Sequence, residues 1–421
     1  MPNLILASRR VAIGDHVVAA EIEISDGMIT DVAPSIASQT PTERIDVGDA
    51  LILPGLVDTH VHLNQPGRTD WEGIQTGTAG ALAGGFTTLV DMPLNSSPVT
   101  TTVSALAEKQ RLAAQWSSVE LLFHAGVVPG AIDQLADLIN HGAVAAKAFL
   151  CDSGIEEFPP VDESDLLRAM PILADHEVPL LVHAELTSAV ALPRSDPNRY
   201  ADYLATRPES FERDAVAMMI DLSQRTGCPI HIVHVADAGT VDLIRDAKRG
   251  GVRITAETCP HYLTFDAGEI PDGATEFKCA PPIRHSHHRE ALWRGLLEGT
   301  LDMIVTDHSP CLPSMKRGDF LSAWGGIASL QWSLPIVWSG CCQRGIGPEK
   351  LATWMSTRPA KLIGRDRRIA AGCVANLTVF DTEPSWTAEA NRWLHRHPIS
   401  PYHGRTLRGE VLRVMRDGVW Q

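Results

Sequence analysis

The chain has 421 residues, 44% of them hydrophobic and 21% charged, and a formal net charge of -15. That length can bury a large core and is long for one compact domain unless it forms an α/β barrel. The acidic balance argues against a nucleic-acid or anionic-membrane partner, and no apolar run approaches the ~18 residues of a membrane span.

Residues 1–50 read as short strands at 4–6, 17–24 and 28–32, separated by the turn dipeptides Gly14-Asp15 and Asp26-Gly27. From 51 onward, apolar β-branched runs alternate with helical patterns. Strands are predicted at 51–57, 86–90, 121–128, 144–150, 178–183, 229–234, 252–257 and 301–306. Helices are predicted at 72–83, 101–116, 130–141, 162–177, 209–226, 238–249 and 286–298. Eight such units predict an α/β fold: a closed TIM-like (β/α)8 barrel with its catalytic groups at the C-terminal ends of the strands. Helical patterns continue to 362, and strands return at 375–381 and 410–418. The expected division is a barrel over 51–365, with segments 1–50 and 366–421 pairing beside it. Eight cysteines are scattered with no CxxC pair, as in a reduced, cytoplasmic protein. Met1-Pro2-Asn3-Leu4 shows no signal-peptide pattern.

The chemistry gathers at the predicted strand ends. In Asp58-Thr59-His60-Val61-His62, side chains two apart share a face, so His60 and His62 can bind one transition-metal ion. Two solvent-facing histidines would be the alternative if this stretch stood alone. Strand 4 carries Lys147 in an apolar run, strand 5 ends in His183, strand 6 in His234, and strand 8 in Asp307. Singly, a strand-end histidine is core or surface, Lys147 could snorkel to solvent and Asp307 could cap a helix. Five strands offering ligand-type groups at one mouth point to a metal site. A buried ammonium beside metal ions would be repelled. Lys147 therefore fits with its charge changed: carbamylation by CO2, giving N6-carboxylysine, would yield an anion able to bridge two divalent cations.

The set of HxH, strand-4 lysine, strand-5 and strand-6 histidines and strand-8 aspartate resembles the binuclear cyclic amidohydrolases: dihydroorotases, hydantoinases or dihydropyrimidinases, and allantoinases. The resemblance covers nearly the whole chain. It is strongest to the allantoinases, through Asn64-Gln65-Pro66-Gly67-Arg68-Thr69-Asp70-Trp71-Glu72-Gly73, Asp91-Met92-Pro93-Leu94-Asn95-Ser96, Lys278-Cys279-Ala280-Pro281-Pro282-Ile283-Arg284, Asp307-His308-Ser309-Pro310-Cys311 and Trp324-Gly325-Gly326-Ile327. It implies that the two ends build a composite β-sandwich. It implies that His60, His62 and Asp307 hold one metal, that His183 and His234 hold a second, and that carboxylated Lys147 bridges them. Zinc is the expected metal, with cobalt, manganese or iron as alternatives. A water activated between the two ions would open a ring amide, with Asp307 taking its proton and passing it to the leaving nitrogen.

Dihydroorotases place an arginine two residues after HxH to pair the substrate carboxylate. Asn64 stands there, a candidate substrate contact that suits a neutral ureide ring such as allantoin, opened to allantoate in purine breakdown. The resemblance further implies substrate contacts from Asn95, Ser309, Ala280 and Gly326, a structural Arg68, and a homotetramer or homodimer. Gln65, His124, Ala131 and the His285–His288 run depart from the pattern. His261 is expected to brace the mouth through hydrogen bonds, His308 and Glu185 to orient neighbours, and His124 and His231 to be packing or surface residues. The alternatives are a hydantoinase or dihydropyrimidinase opening other cyclic ureides, and a scaffold protein without metals.

Overall fold

The computed structural model of the chain describes residues 3–37, 42–188 and 196–421. Met1 and Pro2, on which the signal-peptide reading partly rests, lie outside them. Eight parallel strands form the predicted barrel in two arcs. The first arc joins strand 1 (Leu56–Val61), strand 2 (Phe86–Asp91) and strand 3 (Glu120–Phe123). The second joins strand 4 (Ala146–Phe149), strand 5 (Leu180–His183), strand 6 (Ile230–Ile232), strand 7 (Ile254–Thr258) and strand 8 (Met303–Ile304). Ala125–Gly126 extends the second arc beyond strand 4.

The arcs meet at two seams. At one, the His124 N–H donates to Asp91 O at 3.1 Å, and the next residue, Ala125, donates to Ala145 O at 2.9 Å. At the other, buried Asp58 accepts the Thr306 N–H on Oδ2 and the His60 N–H on Oδ1, each at 3.0 Å. The His62 N–H completes this seam on His308 O at 2.8 Å. Burial pushes the Asp58 carboxyl up to about 7.

The predicted helices 209–226, 238–249 and 286–298 form residue for residue. Their boundaries carry local signals. Asp237 caps the second through the Thr240 N–H, and Gly227 and Gly299 end the first and third in the left-handed region. Phe211, Ala215, Met219 and Leu222 line the buried face of Glu209–Thr226 at helical spacing. Each large apolar side chain so buried contributes about 1.5–3 kcal/mol.

The chain ends meet in one eight-stranded sheet. Leu4–Ile13, His16–Ser25 and Met28–Ala33 form an antiparallel meander, and Leu377–Thr387, Thr406–Arg416 and Val419–Trp420 form another. Between them lies Leu51–Pro54, and Glu43–Asp46, the eighth strand, pairs in parallel with Leu4–Ile13. The predicted strand 51–57 therefore divides at Gly55, with its first half in the terminal sheet and its second in the barrel. Gly55 donates to Asn376 O at 2.8 Å, and a Cβ there would lie 2.4 Å from Thr87 Oγ1. A continuous apolar run hid this crossing, because both sheets bury it. Among the described residues no helix is long and apolar enough to cross a membrane, and all eight cysteines are unpaired.

Candidate metal centre

A cavity of about 520 Å³ opens at the C-terminal ends of the barrel strands, where His60, His62, His183, His234 and Asp307 converge. His60 is the penultimate residue of strand 1, and His183 is the last of strand 5. His234 and Asp307 follow strands 6 and 8 with φ of 42° and 44°, and Asn64 and Asn95 at the same rim have φ of 64° and 66°. Left-handed backbone is uncommon outside glycine, and at His234, Asp307 and Asn95 it accompanies side chains that line the cavity.

His60 Nε2 and His62 Nε2 lie 3.3 and 3.4 Å from Asp307 Oδ1. The edge of a tetrahedron built on 2.0–2.1 Å bonds is roughly 3.4 Å, so these three atoms are spaced to share one transition-metal ion. Their chemistry agrees. His60 Nδ1 lies 2.5 Å from Glu257 Oε1, which fixes the proton on Nδ1 and leaves the Nε2 lone pair bare. His62 Nδ1 faces the Asn95 amide nitrogen Nδ2 at 3.3 Å, which holds the ring in place while its Nε2 points at Asp307.

The second group is His183, His234 and Lys147. The two imidazoles sit with ring centroids 4.6 Å apart. His183 Nε2 lies 2.8 Å from Glu185 Oε2, which Arg207 Nη1 also meets at 2.6 Å, so the carboxylate holds the proton on Nε2; the Cys151 thiol also interacts with this ring. Among the described residues, His234 Nδ1 and Lys147 Nζ are buried without a hydrogen-bond partner. Burial pushes the Lys147 amine down to about 7. Lys109, also buried, shows what a buried ammonium ordinarily has: its Nζ meets Asp91 Oδ2 at 2.6 Å and Met92 O at 2.9 Å. Lys147 has no such partner, as expected of an amine that enters the site in another form.

A third cluster has similar spacing and different chemistry. Glu72 Oε2 lies 3.5 Å from His308 Nε2 and 3.4 Å from His395 Nδ1, all fully buried. Here the opposite ring nitrogens face main-chain donors: Ser329 N–H at 3.3 Å from His308 Nδ1, and Gln331 N–H at 3.3 Å from His395 Nε2. Those nitrogens are acceptors, so the protons sit on the nitrogens facing Glu72. Both rings turn an N–H toward the carboxylate without closing a hydrogen bond to it, and neither offers a lone pair for a metal. His308 is thus an orienting residue, anchored by its ring while its carbonyl holds His62.

Asn95, Ser309, Ala280 and Gly326 line the cavity, whereas Lys147 lies enclosed beneath it. Asn64 is behind the wall: it is 1% exposed, its Nδ2 donates to Pro310 O at 3.2 Å, and it is absent from the lining. The expectation of a ring contact from Asn64 is corrected accordingly. A left-handed backbone at Asn64, with φ of 64°, carries its side chain away from the cavity. Arg68 donates to Asn95 O and Ser96 O at 3.3 and 3.4 Å, bracing the Asn95 loop. Gln65 Oε1 accepts the Ile74 N–H at the start of a helix.

Two other expectations change. His261 makes no side-chain hydrogen bond, with both ring nitrogens buried and unpartnered, and burial pushes it down to about 4. His231 is not mere packing: its Nε2 meets Glu257 Oε2 at 2.9 Å. Glu257 therefore links His231 to His60, and burial notwithstanding, these imidazoles hold its carboxyl down at about 2. Sequence reading passed over Glu257. Its signal was a carboxylate near the end of the predicted strand 252–257, a position the structure buries fully.

The amidohydrolase family model matches residues 51–420. An allantoinase from Streptomyces avermitilis is 43% identical over 99% of this chain and 96% of its own length. One from Arabidopsis thaliana is 40% identical over 98% of this chain and 87% of its own. The chain belongs to the amidohydrolase family, among the allantoinases. Among solved amidohydrolase structures, an L-hydantoinase from Arthrobacter aurescens superposes with a TM-score of 0.92 at 26% identity, covering 100% of this chain and 96% of that one. The family's barrel thus carries here the predicted histidines, lysine and aspartate at its mouth.

Proposed function

We propose that this chain hydrolyses the cyclic amide bond of allantoin, giving allantoate, with two divalent metal ions held by His60, His62, Lys147, His183, His234 and Asp307. The observation that carries the reading is the convergence of His60 Nε2, His62 Nε2 and Asp307 Oδ1 near a Lys147 amine that, among the described residues, has no hydrogen-bond partner. Zinc suits this donor set best, and cobalt, manganese or iron share it. Carboxylation of Lys147 would convert the buried amine into an anion and end its isolation. A deprotonated amine is needed for that reaction, and burial supplies it near neutral pH.

When bound, the metal ions would supply Lewis-acid activation of water and of the amide carbonyl. The remaining work falls to the chain. Asp307 is the proton carrier: it takes a proton from the attacking water and delivers it to the ring nitrogen as the C–N bond breaks. Its carboxyl is held well below the ordinary range, burial notwithstanding, by His60 and His62, so it enters the reaction as an acceptor. Ser309, Asn95 and the main chain at Ala280 and Gly326 would hold the ring against the cavity wall. Glu257 and Glu185 keep His60 and His183 in the orientations that present a bare nitrogen. The relatives named allantoinase support allantoin as the ring. The fold shared with the L-hydantoinase supports, as second reading, other 5-substituted hydantoins or dihydropyrimidines.

A product assay with added divalent metal and bicarbonate tests this, offering allantoin, a 5-substituted hydantoin, dihydrouracil and dihydroorotate side by side. Preference for allantoin with allantoate formed is the expected result. Preference for another ring would keep the hydrolysis and replace the substrate; no turnover of any ring by metal-loaded protein would overturn the proposal.

A further inference from the structure

After barrel strand 8 the chain makes a short 3-10 turn, Pro313–Lys316, before it returns to the barrel mouth. The chemistry above does not use Lys316, yet its side chain is placed with unusual care. Its Nζ faces four main-chain carbonyls: Gly326 at 2.6 Å, Trp324 at 2.9 Å, Lys278 at 3.4 Å and Thr275 at 3.5 Å. Among the described residues no carboxylate lies within ion-pair distance of it. An ammonium has three N–H donors. The two short contacts are full hydrogen bonds, and the third donor is shared between the two longer ones. A surface lysine ordinarily keeps its head in water. This one, half-buried as a residue, turns its head inward and exchanges hydration for peptide dipoles.

Those carbonyls belong to the two segments that build one wall of the cavity. Residues 275–278 lead directly into Cys279 and Ala280, and Trp324 and Gly326 line the cavity themselves. The Gly326 N–H donates to Lys278 O at 2.8 Å, so Lys316 sits on the rung that ties the segments together. Gly326 has φ of 136°, and a Cβ there would come within 2.4 Å of Ser309 O. Ser309 in turn donates its N–H to Ile327 O at 3.0 Å. A displacement of Gly326 must therefore displace Ser309. Nearby, Lys278 Nζ bonds Ala323 O at 2.5 Å and Leu321 O at 3.2 Å, so a second cation staples the same loop.

We propose that Lys316 is a positioning residue that sets the spacing of Ala280, Gly326 and Ser309, and thereby governs how tightly the ring is held rather than how fast its bond breaks. The inference rests on the reading of that wall as the substrate contact. None of the contacts of Lys316 reaches the proposed metal ligands. Removing its donors should therefore leave the metals in place and act on the binding of the ring, in ground and transition state alike.

Lys316→Met removes the charge and donors and keeps the stem. Using the cyclic ureide that the wild type turns over best, KM is expected to rise roughly 10- to 100-fold. The turnover number should fall less than about threefold, with metal content per subunit unchanged. Lys316→Arg restores a cation with donors and should recover at least half of the loss in KM on a logarithmic scale. A purely structural role would lower the melting temperature of both variants and leave KM of the folded protein unchanged; that result overturns the proposal. Should Lys316→Met not fold, Lys316→Gln, which keeps two donors, is judged by the same criterion. Ser309→Ala is measured alongside. If it leaves KM unchanged, the wall reading itself fails. If it raises KM while the Lys316 variants do not, the role of Lys316 alone is refuted.

Discussion

Glu257→Gln is the sharpest test of how the site is held together. The wild-type carboxylate accepts two hydrogen bonds, from His60 Nδ1 at 2.5 Å and His231 Nε2 at 2.9 Å, and it is fully buried. Glutamine keeps the shape and offers one oxygen and one NH2. The NH2 cannot face a ring N–H. If it faces His60, the proton must move to Nε2, and the lone pair aimed at Asp307 is lost. If it faces His231, that ring can move its proton to Nδ1, where Thr255 Oγ1 lies 2.8 Å away to accept it. The second arrangement is the cheaper, so His60 keeps an acceptor but a neutral one. Exchanging a charged for a neutral acceptor costs about 1–2 kcal/mol. That corresponds to roughly a 5- to 30-fold loss, at the lower end of the roughly 10- to 100-fold typical when a group orienting a metal ligand is changed. Metal bound per subunit, titrated against buffered free zinc, should show this weakening, and kcat/KM at subsaturating metal should fall with it. Metal affinity and kcat/KM both within twofold of wild type, in protein of unchanged melting temperature, would refute the claim that Glu257 sets the His60 tautomer.

Lys147→Ala should leave less than half the wild-type metal and almost no turnover; near-wild-type metal content and activity would remove Lys147 from the site. Activation of metal-stripped enzyme by bicarbonate plus metal should grow as pH rises through about 7, because burial lowers the Lys147 pKa and only the neutral amine, present above it, reacts with CO2; a flat response between pH 6 and 8 would contradict this. Lys109→Met breaks a buried pair with Asp91 and should cost about 3–5 kcal/mol in denaturant unfolding, while the folded fraction keeps its full complement of metal. Chelation should abolish activity and lower the melting temperature, reversibly on adding metal back, since an ion bound only by the folded chain stabilises it by about 2.7 kcal/mol at a hundredfold excess over Kd; unchanged melting after complete removal would speak against a metal bridging several strands.

Much of this protein could be read from its sequence because the signals are local. Helices 209–226, 238–249 and 286–298 announced themselves by their periodicity, and the structure shows Asp237 capping one start and Gly227 and Gly299 closing two ends. The alternation of strands and helices implied the barrel, and the barrel implied that His60, His183, His234 and Asp307, far apart in sequence, would meet at one mouth. Other features depended on non-local geometry. The split of 51–57 at Gly55 was decided by which sheet offered each half a partner, and both halves are apolar. Asn64 left the cavity because a left-handed turn, stabilised by its contact with Pro310, redirected it. Glu257 and His231 became functional partners only when adjacent barrel strands set their side chains against each other, and His261 turned out to lack the hydrogen bonds expected of it. The sequence determined which residue types stand at the ends of which strands, since those are properties of neighbours along the chain. Which nitrogen of each imidazole is left bare, and which lysine is left without a partner, only the tertiary structure decided, because both depend on groups brought within about 3 Å from distant segments.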